Sequence, residues 1–302
     1  MSPIARLPKG ARTVVVRLRS LGDCVLTTPA LALLKGHRPD LRLGVVVEKR
    51  FAPVFEGSRD VDEVLEPALL PVARWGAALC LNLHGGSRSL ALTLASGARY
   101  RAGFGHFRWA AAYNIRIPRA QEILGVERVV HTAEHLASAM FYLGVPPAEV
   151  PCARLAAKPT REGSAYAVFH PFASAPDKTW PPGHFVAVAD YLAREWKVEA
   201  VFVGGPGDDL SRFARFRTVA GASLAEVKDL IGGAVVFVGN DSGPAHMAAA
   251  LGVPVAVVFG ASDPRIWGPW QCRSEVLVAR EGIAQATPAR MVAALERLRG
   301  AG

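Results

Sequence analysis

The chain has 302 residues, of which 51% are hydrophobic and 20% are charged. This length suits two domains of roughly 150 residues each, and the composition is typical of a packed globular protein, which argues against disorder. No apolar stretch reaches the roughly 18 residues of a membrane-spanning helix, and residues 1–10 lack the apolar run of a signal peptide. We therefore expect a cytoplasmic protein that is not integral to a membrane.

The net charge of +9 is concentrated in the first half of the sequence. Residues 1–157 contain 20 lysines and arginines against 12 aspartates and glutamates, whereas residues 158–302 contain 15 against 14. This asymmetry suggests a polyanionic partner, which could be nucleic acid, an anionic membrane surface or a phosphorylated substrate. A basic solvated surface is the alternative. Because the sequence contains no recognised nucleic-acid-binding module, we expect no nucleic acid.

The cysteines and histidines give no sign of a metal centre. The four cysteines lie far apart without a C-x-x-C spacing, so we expect reduced, mostly buried thiols. His131 and His135 are four residues apart, but the residues between them do not form an H-E-x-x-H motif and no third ligand is evident. We therefore predict a helix-surface pair at these histidines, no metal site and no cofactor.

Short apolar runs alternate with helical patterns in the first half of the sequence, which is typical of βαβ units with buried parallel sheets. The predicted strands cover residues 13–16, 43–47 and 77–83, and the predicted helices cover residues 24–35, 87–95 and 131–143. Four prolines between Gly144 and Gly163 suit an interdomain linker. We place the domain boundary between residues 157 and 158.

The second half repeats the alternation. Its predicted strands cover residues 165–170, 200–204, 235–239 and 254–259, and its predicted helices cover residues 183–195, 224–231 and 244–251. Ser223 and Glu226 form a capping box, and Thr287 with Pro288 marks the start of a terminal helix, which is a candidate to pack back on the first domain. The predicted fold is therefore α/β, with two doubly wound, Rossmann-like domains at residues 1–157 and 158–302.

Ligands of open parallel sheets bind beyond the carboxyl ends of the strands, so the residues that follow each strand are the candidates for a site. After the first strand comes Arg19-Ser20-Leu21-Gly22-Asp23. Gly22 permits a tight turn, and Asp23 is either the N-cap of the following helix or a general base that accepts a proton from a hydroxyl. No G-x-G-x-x-G or Walker motif occurs, so neither dinucleotide nor P-loop chemistry is supported.

Two loops of the second half contain groups suited to a phosphorylated ligand. In Asp177-Lys178-Thr179-Trp180-Pro181, Lys178 could bind a phosphate or could be a solvated lysine. In Gly204-Gly205-Pro206-Gly207-Asp208-Asp209, a carboxylate could accept ribose hydroxyls, or the segment could be a glycine-rich turn with an acidic cap.

The most informative segment is Gly239-Asn240-Asp241-Ser242-Gly243-Pro244-Ala245-His246. It places backbone amides, a hydroxyl and a carboxylate at the start of a helix, which suits anion recognition by the amides and sugar recognition by Asp241. A structural turn is the alternative.

The basic first half offers candidates for binding an anionic partner. Gly85-Gly86-Ser87-Arg88 follows a strand, so it could bind a phosphate or carboxylate, or it could be an ordinary helix start. Arg99, Arg101 and Arg108 flank Gly103-Phe104-Gly105 and could extend that surface. Our candidates for binding this partner are Arg19, Gly22, Arg88 and Arg101.

The sequence resembles the ADP-heptose:lipopolysaccharide heptosyltransferases over nearly its whole length. The motifs that carry the resemblance are Gly22-Asp23 with Thr28-Pro29, Lys178-Thr179-Trp180-Pro181, and Asp241-Ser242-Gly243 with His246 and Phe259-Gly260. The resemblance implies a GT-B fold, in which two Rossmann-like lobes face a central cleft. It also implies inverting, metal-independent transfer of heptose from ADP-heptose to the lipopolysaccharide inner core.

The matching positions imply a role for each residue. Asp23 would be the catalytic base, Lys178 with Thr179 would bind the diphosphate side of the donor, and Asp208 would lie at the ribose. Asp241, Ser242 and Gly243 would bind the donor sugar and phosphate, and His246 would support their loop. Arg19, Gly22, Arg88 and Arg101 would bind the acceptor, a phosphorylated, Kdo-bearing lipid A core, so the resemblance also implies transient contact with the cytoplasmic face of the inner membrane.

Three positions depart from the family pattern. Phe172 stands where the family usually has glycine, Ser242 replaces a threonine, and Asp208 lies where a glutamate is common. The alternative functions are another GT-B hexosyltransferase, a nucleotide-sugar epimerase, and a protein that binds a nucleotide or sugar without chemistry.

Overall fold

The structure, a computed structural model, describes residues 1–159 and 164–300. The chain divides into two compact units, Met1–Ala156 and Ala157–Gly302, which we call the first and second units. The last part of the predicted linker, residues 160–163, lies outside the described residues. Among the described residues, no helix combines the length and the hydropathy needed to span a bilayer.

The first unit is built on a parallel six-stranded sheet. Its strands are β1 (Arg12–Val16), β2 (Arg42–Val46), β3 (Glu63–Leu65), β4 (Leu79–Asn82), β5 (Tyr100–Phe104) and β6 (Ile115–Ile117), in the order β3-β2-β1-β4-β5-β6. Its helices are α1 (Leu21–His37), α2 (Leu69–Trp75), α3 (Ser87–Ala95), α4 (Ala120–Leu124) and α5 (Thr132–Leu143). Short 3₁₀ turns cover Ile4–Arg6, Lys49–Val54 and Ala110–Ala112.

The second unit repeats this topology. Its strands are β7 (Tyr166–His170), β8 (Glu199–Gly204), β9 (Arg217–Ala220), β10 (Val236–Asn240), β11 (Val255–Phe259) and β12 (Ser274–Val278), in the order β12-β11-β10-β7-β8-β9. Its helices are α6 (Pro182–Tyr191), α7 (Leu224–Gly232), α8 (Gly243–Ala250), α9 (Pro264–Trp267) and α10 (Pro288–Gly300). A π-helical segment, Leu192–Trp196, continues α6, and 3₁₀ turns cover Pro176–Lys178, Ser211–Phe213 and Ile283–Gln285.

Each unit has its own hydrophobic core. The four residues of β4 and the five residues of β11 are buried along their whole length, as expected for central strands of a sheet covered on both faces. In the second unit the Phe169, Phe202 and Phe213 rings form a continuous stack, with centroids 4.8 and 4.3 Å apart. These cores make each sheet a rigid support for the loops at its carboxyl edge.

The predicted fold class is confirmed, since both units are α/β with parallel, doubly wound sheets. The helix predicted over residues 87–95 has the observed bounds, and Ser223 and Glu226 form the predicted capping box. Helix α1 begins at Leu21, three residues before the predicted start at residue 24. The terminal helix α10 packs on α6 and β12 of its own unit. Cys24 and Cys80 are buried thiols, whereas Cys152 and Cys272 are partly exposed.

Candidate active site

Each sheet has one position at which its strand order reverses, between β1 and β4 in the first unit and between β7 and β10 in the second. At such a switch point the connections leave the neighbouring strands in opposite directions, and the crevice between them is where open α/β sheets bind ligands. The candidate residues that follow β1, β4, β7 and β10 lie at these two places.

Asp23 lies in the first turn of α1, just beyond the end of β1. One carboxylate oxygen, Oδ2, accepts hydrogen bonds from the Ser20 backbone amide at 3.3 Å and from the Ser20 hydroxyl at 3.0 Å. The Asp23 side chain is 25% exposed. The alternative prediction that Asp23 is the N-cap is wrong, because Ser20 takes that position and Asp23 is the third helical residue of a capping box. Gly22 is helical as well, so the predicted tight turn is the first turn of α1.

The other oxygen of Asp23 faces a buried arginine. The Arg17 guanidinium is 3.5 Å from Asp23 Oδ1, and Arg17 is only 6% exposed. Burial lowers the pKa of Arg17, and the nearby Asp23 carboxylate opposes that shift. In the described part of the chain, Arg17 Nε has no hydrogen-bond partner. The pair therefore gives the switch point a buried positive charge beside a partly exposed carboxylate.

His84 is a site candidate that our sequence analysis missed. It lies two residues beyond the end of β4, and Asn82 Oδ1 accepts hydrogen bonds from the backbone amides of His84 and Gly85, each at 3.0 Å. Burial and then the charge of Arg17 lower the pKa of His84, so both favour the neutral form of its imidazole. Its place after a buried strand and before two glycines was the signal that could have identified it.

The predicted acceptor-binding arginines are not all at one place. Arg19 is exposed in the loop between β1 and α1, and Arg88 lies at the start of α3, 3.4 Å from Glu48 Oε1. Both belong to the carboxyl edge of the sheet, where Asp23 lies. Arg101 is the second residue of β5, at the amino end of the strand, and its guanidinium donates to the Ala98 carbonyl at 3.0 Å. The structure therefore does not bring Arg101 together with Asp23.

In the second unit, Lys178 and Asp241 form an ion pair. Lys178 Nζ is 3.1 Å from Asp241 Oδ2, and the Ser262 hydroxyl donates to the same oxygen. The Asp241 side chain is 9% exposed and that of Lys178 is 29% exposed. Three loops, after β7, β10 and β11, thus converge on one carboxylate, and Lys178 keeps an accessible positive charge.

Ser242 connects the two strands of the second switch point. It is the N-cap of α8, and its hydroxyl is 3.3 Å from Nδ1 of His170, the last residue of β7. Loss of hydration lowers the pKa of His170 to about 4. Gly243 follows as the first residue of α8, whose free backbone amides and dipole favour an anion. His246 is buried within the same helix.

The loop that carries Lys178 is held by two close contacts. The Trp180 amide donates to the buried Asn240 side chain at 3.0 Å. Gly260 lies so close to this loop that a Cβ there would be 2.1 Å from the Asp177 carbonyl oxygen, which only glycine permits. The Thr179 hydroxyl donates to the Ala175 carbonyl at 2.9 Å, so it supports the loop from within.

Asp208 and Phe172 lie together at the ends of β7 and β8. Asp208 Oδ2 accepts a hydrogen bond from the Gly205 amide at 2.8 Å. The Phe172 ring packs over Gly204, where a Cβ would be 3.0 Å from the ring edge. The phenylalanine that departs from the family pattern is therefore accommodated by a glycine on the neighbouring strand. Among residues 1–159 and 164–300, no cluster of three or more His, Cys, Asp or Glu side chains is placed to hold a metal ion.

Two Rossmann-like units, each built on a parallel doubly wound sheet, match the architecture of the GT-B fold. Residues 75–291 match the family model of glycosyltransferase family 9, described as heptosyltransferases. The chain therefore belongs to glycosyltransferase family 9, which confirms the resemblance and identifies the protein as a glycosyltransferase, neither an epimerase nor a binding module.

Individual relatives agree with this family. The chain is 26% identical to lipopolysaccharide heptosyltransferase 3 of Escherichia coli K12 over 84% of its own length and 83% of the relative's. It is 27% identical to lipopolysaccharide heptosyltransferase 1 of the same strain, with coverage of 85% and 90%. Its fold matches a family 9 structure from Veillonella parvula with a TM-score of 0.84, at 21% identity and coverage of 96% and 97%. The E. coli heptosyltransferase WaaC with ADP matches with a TM-score of 0.79, at 21% identity and coverage of 95% and 100%.

Proposed function

We propose that this glycosyltransferase transfers heptose from ADP-heptose to the inner core of lipopolysaccharide, at the cytoplasmic face of the inner membrane. The relatives named as lipopolysaccharide heptosyltransferases support this donor and acceptor, as do the solved heptosyltransferases that contain ADP. The acceptor is a phosphorylated, Kdo-bearing lipid A core, which suits the positive charge of the first unit.

The observation that carries the proposal is the cluster around Asp241. Lys178 supplies an accessible positive charge, and the start of α8 lies directly after Asp241 and Ser242. A diphosphate bound there is stabilised by the lysine and by the helix amides, while a carboxylate and a hydroxyl remain to bind sugar hydroxyls. This is the set of groups that a nucleoside-diphosphate sugar requires. We place the ribose at Asp208.

The transfer takes place in one displacement. An acceptor hydroxyl oxygen attacks the anomeric carbon, the bond from that carbon to the diphosphate oxygen breaks, and ADP leaves with the electron pair. Asp23 accepts the proton of the attacking hydroxyl as general base, and Lys178 with the α8 amides stabilises the charge that develops on ADP. The anomeric configuration inverts.

The mechanism requires no metal, so we expect chelators to leave turnover unchanged, and restoration of chelator-inhibited activity by Mg²⁺ would contradict it.

Substitution of Asp23 tests the proposal. Asp23→Asn keeps an oxygen that can accept the hydrogen bonds of Ser20 but cannot take a proton. We expect kcat to fall by about 10² to 10⁴, the usual contribution of general-base catalysis, while ADP-heptose binding in calorimetry stays near wild type. Single-turnover transfer measures the chemical step directly.

A second capping box supplies the matched control. Glu226 occupies the same position in α7 as Asp23 does in α1 and accepts hydrogen bonds from Ser223. Glu226→Gln should leave kcat unchanged, with a change of at most about 1 kcal/mol in the free energy of unfolding. If Asp23→Asn behaves like Glu226→Gln, Asp23 is a structural residue of the helix and not the base.

Titration of the wild type with ADP-heptose and with UDP- and GDP-hexoses identifies the donor, and preference for a hexose would replace heptose in the proposal.

A further inference from the structure

The first unit has a cavity that the sequence analysis did not predict. Its volume is about 800 Å³, and we call it the histidine cavity because His106 and His135 line it. His106 lies two residues beyond the end of β5, and Arg119, which also lines the cavity, lies two residues beyond the end of β6. His135 lies near the start of α5. The cavity is therefore at the carboxyl edge of the sheet, where Asp23 also lies.

The position of the histidine cavity along this edge limits the kind of ligand that reaches both places. β5 is the second neighbour of β1, beyond β4, and β6 is the third. At about 4.8 Å between adjacent strands, the ends of β5 and β6 lie about 10 Å and about 15 Å from the end of β1. A ligand that extends from Asp23 into the cavity is therefore longer than one sugar ring.

Two imidazole rings line the cavity. The His135 ring stacks on the buried Phe104 ring with centroids 4.2 Å apart, and the His106 and His135 centroids are 5.7 Å apart. Burial lowers the pKa of His135 to about 4, and the charges of His106 and Arg17 act in the same direction. Burial and then the charge of Arg119 lower the pKa of His106. The neutral forms of both imidazoles are therefore favoured.

The charged side chains of the cavity do not favour an anion. Among the described residues that line it, Arg119 has a permanent positive charge, whereas Glu122 and Glu127 are both carboxylates. Glu122 also accepts a hydrogen bond from the Arg119 amide at 3.3 Å. One arginine against two glutamates leaves an excess of one negative charge, although residues 1–157 as a whole have 20 basic against 12 acidic residues. An anionic ligand is therefore repelled from this part of a basic unit.

A neutral sugar matches the groups of the cavity. The C–H face of a sugar ring packs on flat rings, and the hydroxyls at its edge exchange hydrogen bonds with planar polar side chains. His106 and His135 provide the rings, while Arg119, Gln121 and Glu127, which are exposed, provide donors and acceptors. The volume is also within the range of roughly 300 to 1,000 Å³ that is usual for small-molecule sites.

We propose that the histidine cavity binds a neutral sugar unit of the acceptor, beyond the unit whose hydroxyl Asp23 deprotonates. The proposal rests on the proposed function in one respect, since a saccharide acceptor supplies this second sugar. The cavity then selects among acceptors, because a carboxylate or phosphate at the same position is repelled. This selectivity is opposite to the one that the net charge of the first unit predicts.

Matched sugar probes test the proposal on the full chain in the absence of donor. Methyl glucoside and methyl glucuronide share one ring and differ by one carboxylate, and the methyl galactoside and galacturonide pair varies the stereochemistry. The imidazole resonances of His106, assigned through His106→Gln, report on binding in heteronuclear NMR. We expect at least one neutral glycoside to shift them with a millimolar Kd, and the matching uronide to bind about tenfold more weakly or less.

A charge reversal at one residue provides the second test. Glu127→Lys changes an exposed side chain, so the fold is expected to persist. In this variant the uronide should bind at least as tightly as the neutral glycoside, because the excess charge of the cavity becomes positive. Glu56→Lys makes the same change at an exposed glutamate of the first unit that does not line the cavity, and it should keep the wild-type preference.

Transfer assays separate this proposal from the proposed function. With a deacylated acceptor, Glu127→Lys should raise the acceptor KM about fivefold or more and leave kcat and the ADP-heptose Kd near wild type, because the cavity does not contact the reacting atoms. If the wild type transfers no heptose, the proposed function fails, while NMR still measures sugar binding.

The histidine cavity is not a neutral-sugar site if no neutral glycoside shifts the His106 resonances at tens of millimolar, or if the uronides bind as tightly as the neutral glycosides. The same conclusion follows if Glu127→Lys and Glu56→Lys have the same sugar preference. In each of these cases the results for Asp23 and for heptose transfer stand unchanged.

Discussion

Replacing Lys178 by methionine tests how the ion pair of the second unit prepares the donor site. Lys178→Met keeps most of the apolar stem but removes the charge that lies 3.1 Å from Asp241. Loss of a charge-assisted hydrogen bond to the diphosphate costs about 1.5 to 3 kcal/mol, which corresponds to roughly 10- to 150-fold weaker ADP binding. The Asp241 side chain, which is 9% exposed, then loses its lysine partner, so its negative charge near the diphosphate is no longer offset, which places the effect toward the upper end of that range.

A double substitution separates these two contributions. In Lys178→Met with Asp241→Asn the repelling charge is absent, so we expect about a tenfold recovery of ADP affinity relative to Lys178→Met alone. Asp241→Asn alone should leave ADP affinity near wild type, because it removes the repulsion of the diphosphate together with the carboxylate that holds Lys178, and it should weaken ADP-heptose binding, since we assign the sugar hydroxyls to this carboxylate. Isothermal titration calorimetry of the wild type and the three variants, each with ADP and with ADP-heptose, gives all eight dissociation constants.

Lys158→Met is the control, because Lys158 is an exposed lysine of the same unit. It should bind ADP as wild type does. Unchanged ADP affinity in Lys178→Met would remove Lys178 from the donor site. If Lys178→Met and the double variant bind ADP equally well, the Asp241 carboxylate does not face the diphosphate.

Two further predictions concern the same site. Gly260→Ala should displace the Lys178 loop and lower both the melting temperature and ADP affinity, because its Cβ would be 2.1 Å from the Asp177 carbonyl oxygen, whereas Gly183→Ala, with no atom within 4 Å, should lower neither. His170 has a pKa of about 4 in the folded protein against 6.5 in an unfolded chain, so between these values only the unfolded chain binds the proton and stability falls as the pH is lowered. In urea unfolding at several pH values, His170 should contribute up to about 1.4 kcal/mol per pH unit to the slope of the free energy of unfolding against pH. The same slope in His170→Asn would contradict the lowered pKa of His170.

The central part of the fold was predictable because buried parallel strands are continuous apolar runs. β1, β7, β8, β10 and β11 are of this kind, and the sequence analysis found each of them. The edge strands β3 and β6 have only three residues each and include exposed Glu63 and Arg116, so they have no distinctive pattern. β5 was missed because its arginine and glycine suggested a basic loop.

The candidate site was predictable where a motif follows a strand directly, and less so where distant segments meet. Lys178 and Asp241 were both identified, but their ion pair joins residues 63 positions apart, which local pattern does not reveal. The Ser262 contact and the buried Arg17 beside Asp23 are of the same kind. Arg101 was grouped with the acceptor arginines because it is basic, whereas its position at the amino end of β5 follows only from the strand bounds.

The repeated strand order has a consequence for how this enzyme can diversify. Each unit folds around its own core and offers its own switch point, so the proposed acceptor and donor sites depend on separate scaffolds. Loops of the first unit can therefore change in length and sequence without disturbing the packing that holds Lys178 beside Asp241. Evolution can exchange the molecule that receives the sugar while retaining the molecule that supplies it. Chimaeras that join first units of different relatives to this second unit would make the same exchange in the laboratory.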